Sequence, residues 1–367
     1  MQVLNIVMAI FSAIGALDLI FGNRLGIGKE FERGLKMFGE LAMAIVGLIV
    51  LSPLIAKFLS PAMQTLATIV PFEPSVITSS FFANDNGGAS IALEIATTQE
   101  LGYYNGLVVG SMMGATVSSV PIALNMISKN RYKQLFLGLL CAICTMPIGC
   151  IVAGLMVGIS FGTLMWNLIP LLILDAILTV CLLKFPNKTA KVFEIIGIFL
   201  KSLIMVGLCI GLLEYLLGWD FVPYTTPIEE GVSIVFNIAA VLTGALTLLT
   251  LLAKVLNKPL KKLGAKVGIN EYSALAFMAT LATSLTMYEQ MQHMDEKGAL
   301  LNAAFSGSAG YTFADHMAFT MSFAPAYVPC MIVGKLISGV CALLMAWLVF
   351  CRKKEEPTHE TMETEIA

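Results

Sequence analysis

The chain has 367 residues, of which 57% are apolar and 13% charged, and its mean hydropathy is +0.85. Soluble domains carry about a quarter charged residues, so this composition excludes disorder, a nucleic-acid binder and an ordinary soluble enzyme. The 22 basic and 24 acidic residues nearly cancel, so any polarity lies in where they sit.

Apolar runs of membrane-spanning length recur along the chain. Spanning helices are expected near 1–22, 35–60, 103–127, 133–160, 164–183, 192–217, 233–256, 298–322 and 326–350. The first run has no basic leader and holds Asp18 near its end, so it reads as a retained span rather than a signal peptide. Two stretches, 62–98 and 268–295, resist this reading. The first is cut by Pro71 and Pro74 and then by Asn84-Asp85-Asn86-Gly87-Gly88. Backbone this polar is tolerated at membrane depth only where protein or water surrounds it.

The basic residues choose between two topologies. If each awkward stretch crosses once, Lys and Arg scatter over both sides. If each enters and leaves on the same side, 19 of the 22 fall on one side, the exceptions being Lys57, Lys201 and Lys335. By the positive-inside rule that side is the cytoplasm. The expected topology therefore has nine spans, an outside N-terminus and a cytoplasmic C-terminus. Ser75 to Ala83 makes roughly 13 Å of helix at 1.5 Å per residue. That is about half of a hydrocarbon core roughly 30 Å thick.

The two halves echo one another. LIAKFL at 54–59 returns as LLAKVL at 251–256, and GSMMG at 110–114 faces SGSAG at 306–310, offsets of 197 and 196. Loop 23–34 is basic and its counterpart 218–230 acidic, as an inversion requires. The expected fold is an all-α polytopic membrane protein of two inverted repeats. Each repeat has four spanning helices and one re-entrant helical hairpin. The first covers 1–160 with hairpin 62–98, a linking helix occupies 161–190, and the second covers 191–351 with hairpin 268–295. A charged cytoplasmic tail fills 352–367. Inverted repeats with interrupted helices are the build of secondary transporters, whose sites lie near the midplane. The hairpin tips at Asn84–Gly88 and Thr280–Thr286 are expected to meet there.

Carboxylates inside apolar spans are costly and need a reason. Glu40, Asp175, Glu194 and Glu271 read as interfacial, and Glu94 as a partner for Lys201 or Lys335. Asp85 sits at a broken tip between Asn84 and Asn86 and ahead of Gly87 and Gly88, which let backbone come close. It is either a helix cap or a substrate ligand. Asp315 beside His316, deep in 298–322, is either a packing pair or a cation or proton site. Phe81, Phe82, Tyr288 and Tyr311 are aromatics that can face a cation. Such a site is small, acidic and rich in amides and hydroxyls, and it suits a small organic cation that forms hydrogen bonds. Cys141 and Cys144 have C-x-x-C spacing, but no second pair completes a metal shell, so the cysteines read as packing residues and neither metal nor cofactor is expected. No P-loop, dinucleotide fingerprint or H-E-x-x-H is present.

FERGLKMFGELAMAIVGL (31–48), NDNGGAS (84–90), GSMMGATVSSVPIAL (110–124), PIGCIVAGL (147–155), DEKGALLNAAF (295–305), ADHMAF (314–319) and MIVGKLISGV (331–340) resemble, in this order, the bacterial ethanolamine utilisation permeases of the EutH family. The resemblance runs from about residue 1 to 350. It implies uptake of ethanolamine across the bacterial cytoplasmic membrane for ethanolamine catabolism. It places the acidic Gly-Gly tip on Asp85, Gly87 and Gly88, and the Asp-His pair on Asp315 and His316. TSLTMYEQ (283–290), with Glu289, departs from the family pattern, and the tail is shorter. On this reading Asp85 and Asp315 attract the ammonium group, and Asn84, Asn86, Thr283 and Ser284 hold the hydroxyl, with Tyr288 alongside. The lipid bilayer is the other partner, and no nucleic acid is expected. The coupling ion stays open, as does a homodimer. Rival readings are an ion-coupled carrier of another small amine or metabolite, a membrane-embedded enzyme using Asp315 and His316, and a sensor.

Overall fold

The computed structural model describes residues 2–69 and 72–351, so Pro71 and the tail 352–367 lie outside the described residues. Among these residues the chain is helical throughout, with no strand. In chain order the helices are α1 Gln2–Ile20, α2 Gly28–Leu41, α3 Gly47–Ile69, α4 Ser75–Phe81, α5 Ala89–Ile95, α6 Gln99–Tyr104, α7 Ala115–Met126, α8 Tyr132–Met156 and α9 Phe161–Asn167. They continue with α10 Ile169–Lys184, α11 Pro186–Leu217, α12 Ile228–Val267, α13 Glu271–Ala282, α14 Ser284–Gln290, α15 Glu296–Ala309, α16 Asp315–Phe323 and α17 Val328–Ala346. Wider π-helical turns join α2 to α3 at Ala42–Val46 and α6 to α7 at Asn105–Gly114.

Seven helices among the described residues are long and apolar enough to cross a membrane, and eight if α9 and α10, bent by 45°, form one span. The remaining expected span, 298–322, is not a continuous helix. Residues 310–314 break it into α15 and α16, with Tyr311 in the left-handed region at φ 61°. The protein is a multi-pass membrane protein.

Burial grades the helices. Of the most apolar windows, 78% in Gln99–Met126 and 72% in Lys129–Met156 is covered by protein, against 11% in Pro186–Leu217. The inner helices therefore meet one another while α11 faces outward. Small residues make the inner contacts close, as expected where lipid offers no hydrophobic drive. A Cβ on Gly138 would lie 2.6 Å from the Ala304 nitrogen of α15, and one on Gly334 of α17 would meet the Gly149 carbonyl of α8 at 2.8 Å. The Thr145 hydroxyl donates to the Ser338 carbonyl at 3.2 Å, and the Ser338 hydroxyl to Ser308 at 2.8 Å.

Related contacts recur at matching positions of the two halves. Gly47 of α3 lies against the Ile204 carbonyl of α11, and Gly244 of α12 against the Met8 carbonyl of α1. The Lys57 ammonium sits 3.2 Å above the Tyr224 ring, while Lys254 donates to the Leu25 carbonyl. Asp18 at the end of α1 accepts from the N–H groups of Leu25, Ile27 and Gly28 at 2.7–2.9 Å. Glu214 near the end of α11 accepts from the Val222 N–H at 3.1 Å and from the Thr225 hydroxyl.

Hydrogen bonds tie residues 73 and 97, and residues 270 and 295, together, while residues 62–69 of the first stretch continue α3. The Glu73 carboxylate accepts from the Thr97 N–H at 2.9 Å and from the Thr97 hydroxyl, which closes the base of the α4–α5 segment. The base of the α13–α14 segment is closed by Asp295, which accepts from the Asn270 N–H and the Ser273 hydroxyl, both at 2.8 Å. Asp295 also caps α15 through the Gly298 N–H at 3.0 Å. Burial opposes its ionisation, but the N–H groups of Asn270 and Gly298 and the Ser273 hydroxyl outweigh that and hold its carboxyl below the ordinary value of 3.8. A lowered folded value contributes stability above the ordinary carboxylate range and loses it as pH falls through the folded value. Asp295→Asn is therefore expected to lower thermal stability in detergent at neutral pH and to flatten its fall below pH ~4. Parallel pH profiles for the two proteins would remove Asp295 from this role.

Candidate functional site

The first tip is built by residues that tolerate unusual backbone. After α4 the chain runs extended through Phe82 and Ala83, then turns so that the Ala83 carbonyl accepts from the N–H groups of Asn86 at 3.1 Å and Gly88 at 3.0 Å. Gly87 is left-handed at φ 78°, and a Cβ there would lie 2.7 Å from the Leu48 Cβ. At Gly88 a Cβ would run into the Phe82 and Ala83 carbonyls. These two glycines act through the shape of the turn. Behind the tip, the π-helical stretch Asn105–Gly114 presents Gly106, Gly110 and Gly114 to Ala89, Asn84 and Phe82.

The second tip is a one-residue break. Thr283 is extended, and its hydroxyl caps α14 by accepting from the Leu285 N–H at 3.3 Å. The broken helix of residues 296–323 answers it through backbone. The Tyr311 N–H donates to the Thr280 carbonyl at 3.1 Å, and the Phe313 N–H to the Leu281 carbonyl at 2.9 Å. The Ser306 hydroxyl donates to Ser284 at 2.8 Å. From this turn α16 starts at Asp315 and packs on the Asn84–Gly88 tip.

The two tips and the broken helix thus bring polar groups together inside the protein. Asp85 and Asp315 are near enough to repel one another when both are ionised, and Tyr311 feels both. Its ring lies 5.4 Å from that of His316, and Tyr288 is buried with its hydroxyl beside Ser119 and Ser306. Buried polar atoms normally have partners. Here both amide atoms of Asn84, Oδ1 of Asp85, Oδ1 of Asp315, Nδ1 of His316 and the hydroxyl of Thr280 have none within the protein.

Other expected residues fall elsewhere. Asn86 lines a cavity of about 620 Å³ with Glu40, Leu48, Phe82, Ser118 and Lys201. Thr283 lines a second, of about 510 Å³, with Arg33, Lys254, Tyr272, Thr286 and Gln290. Asp315 and His316 adjoin in sequence, but Oδ1 of one and Nδ1 of the other are left unpaired, so no bond through those atoms makes them a packing pair. Asp85 makes no side-chain cap to α5. Glu94 is exposed and, among the described residues, forms no ion pair with Lys201 or Lys335. Glu289 is exposed too. The eight cysteines are free, and no cluster of three metal-binding side chains exists among the described residues.

Sequence reasoning missed two features. Lys335, only 1% exposed in the middle of α17, donates to the Ser111 carbonyl in the π-helical stretch behind the first tip. Its only signal was being one of three basic residues on the wrong side of the charge count. The break at 310–314 was signalled by the SGSAG echo: its counterpart GSMMG lies where the other inner helix is also not α-helical.

Comparison with known proteins identifies relatives by sequence. No solved structure matches. The chain is similar over nearly its whole length to three proteins each named probable ethanolamine permease EutH. The Listeria monocytogenes protein is 40% identical, over 98% of this chain and 97% of the relative. The Escherichia coli protein is 34% identical, over 99% and 98%, and the Salmonella typhimurium protein 33%, over 95% of each. The family model described as ethanolamine utilisation protein, EutH, matches residues 1–349. With a family model matching residues 1–349 and relatives up to 40% identical over nearly the whole length, the chain belongs to the EutH family of ethanolamine utilisation proteins.

Proposed function

We propose that this protein is a secondary transporter that imports ethanolamine across the bacterial cytoplasmic membrane for its utilisation. The observation that carries the reading is the meeting of two half-buried carboxylates, each with one buried oxygen that has no partner, with partnerless amide and hydroxyl atoms at two chain interruptions. Ethanolamine is mostly an ammonium ion at neutral pH. A carboxylate about 4 Å from it, at an effective dielectric near 20, contributes about 4 kcal/mol before desolvation losses. Asp85 and Asp315 take the ammonium in this scheme. Asn84, with both amide atoms free, takes the hydroxyl. Ser284 and Thr283 are already engaged, by Ser306 and Leu285, and serve with Asn86 as entry or second contacts. Tyr288, Tyr311 and His316 close the aromatic side.

The exchanged contacts support a first repeat over 1–160, a linker over 161–190 and an inverted second repeat over 191–351. Gly47 and Gly244, Lys57 and Lys254, and Asp18 and Glu214 are each separated by 196 or 197 positions, the offset of the sequence echo. In a twofold arrangement Gly47 and Gly244 make the same contact with partners exchanged, and Asp18 and Glu214 each hold the loop that follows its own helix. The closed bases at Glu73–Thr97 and Asn270–Asp295 support hairpins that re-enter from opposite faces. The ninth crossing is then the broken α15–α16 pair, an interrupted span of the kind transporters use at their sites. With basic loops in the cytoplasm and the N-terminus outside, the second cavity, walled by Arg33 and Lys254, opens inward.

Uptake of labelled ethanolamine by liposomes holding the purified protein tests the reading. Saturable uptake, competed by unlabelled ethanolamine and at least about tenfold less well by choline, is expected, because three methyls remove every N–H donor. Equal competition by choline, or no uptake, refutes it.

A further inference from the structure

Lys335 stands apart from the roles assigned above. A lysine in the middle of a membrane-spanning helix is costly and marks a pathway or an internal pairing. Here it is almost wholly covered, and its bond is to the Ser111 carbonyl, a neutral group. Among the described residues no carboxylate forms an ion pair with it. Its field reaches Asp85 and His316 on the site side and Cys150 of α8 on the other. Ser111 belongs to the same π-helical stretch whose Gly110 and Gly114 cradle the first tip. The ammonium is therefore held behind Asp85 by backbone, close enough to act on it through space and too far to neutralise it by contact.

We infer that Lys335 is the resident cation of the substrate site and sets its charge capacity at one monovalent amine. Resting on the ethanolamine reading, the count is short. With both carboxylates ionised and the lysine protonated, Asp85 and Asp315 supply two negative charges and Lys335 one positive. Arg33, whose field also reaches Asp315, has a side chain 52% exposed and is screened by solvent. One charge is left to balance, and a monocation balances it. A dication overfills the site, and a neutral alcohol leaves it unbalanced in a low-dielectric interior, where uncompensated charge is expensive. Selection by charge thus adds to selection by hydrogen bonds.

Charge competition tests this. Liposomes holding the wild-type protein, Lys335→Gln or Lys335→Arg take up labelled ethanolamine in the presence of 1,2-diaminoethane, at a pH where both its amines are protonated. The wild type should prefer ethanolamine. Removing one positive charge beyond contact distance, at an effective dielectric near 20, should move the preference of Lys335→Gln toward the dication by about tenfold or more. Lys335→Arg should keep the monocation preference whatever its rate. If Lys335→Gln is recovered only as aggregate, Asp85→Asn/Lys335→Gln, which removes one charge of each sign, carries the same test. It should take up ethanolamine at least about tenfold faster than Asp85→Asn alone. An unchanged preference in Lys335→Gln, or no gain in the double variant, overturns the role of Lys335. Absence of ethanolamine uptake by the wild type overturns the substrate assignment instead.

Discussion

Asp85→Asn protein is expected to reach the membrane in normal amounts and to take up ethanolamine about a hundredfold more slowly at low concentration. The substitution keeps the size of the side chain and its capacity for hydrogen bonds, so the tip, which is held by backbone bonds to the Ala83 carbonyl and by its two glycines, should form unchanged. What is lost is one negative charge facing the ammonium. The gross attraction of about 4 kcal/mol is reduced by the desolvation that the carboxylate no longer undergoes. A net loss near 2.7 kcal/mol corresponds to about a hundredfold. Initial uptake rates over a range of concentrations, with the amount of protein in the membrane measured in parallel, check the result. Glu94→Gln is the matched control. Glu94 lies in α5, which follows the same tip, but is exposed and forms no ion pair among the described residues, so uptake by its variant should match the wild type. Uptake by Asp85→Asn within threefold of wild type would take Asp85 out of the site.

The second large effect is structural. Gly114→Ala should abolish uptake and lower thermal stability, because the added methyl would occupy the position of the Phe82 carbonyl and lie 2.6 Å from the Ser79 carbonyl. Both obstacles are backbone at the end of α4, so no flexible side chain can yield. Either α7 or the tip must move, and overpacking of this kind costs typically 1–3 kcal/mol, sometimes more. Even a small displacement carries Asn84 and Asp85 with it. Gly39→Ala is the comparison, since an added methyl there meets nothing within 4 Å. It lies in helix α2, and exchange of glycine for alanine at an exposed helical position stabilises by up to about 1 kcal/mol. Melting curves in detergent and uptake in vesicles separate the two. A Gly114→Ala protein with wild-type melting and uptake would mean that the tip is not seated as described.

Much of this was legible because it follows from local chemistry. Apolar runs mark most spans, since lipid demands them over about 20 residues. The Asn-Asp-Asn-Gly-Gly sequence marks the first tip, because no plain helix tolerates it in lipid. The break at 310–314 was not legible in the same way. Residues 298–322 contain no proline, and Gly310 is one small residue among several. The break is made by distant backbone, with Tyr311 and Phe313 donating to carbonyls of α13. Periodicity cannot report such a bond, and Asp315 therefore read as mid-helix when it begins one. Lys335 was hidden for a related reason. A lone lysine in an apolar run can reach toward a headgroup region, and only the approach of Ser111 from a helix more than 200 positions away shows that this one stays inside. The proposed pairing of Glu94 failed because a charge count assigns sides, not neighbours.

The exchange of partners between α1 and α12, and between α3 and α11, has a consequence for biosynthesis. Helices α1 and α2 pack chiefly on α12, which leaves the ribosome about 200 residues later. At 5–20 residues per second that delay is roughly 10–40 s. Throughout it the earliest helices stand in the bilayer with glycine faces turned to lipid, so a nascent chain halted before Ile228 would offer degradation machinery an unfinished surface.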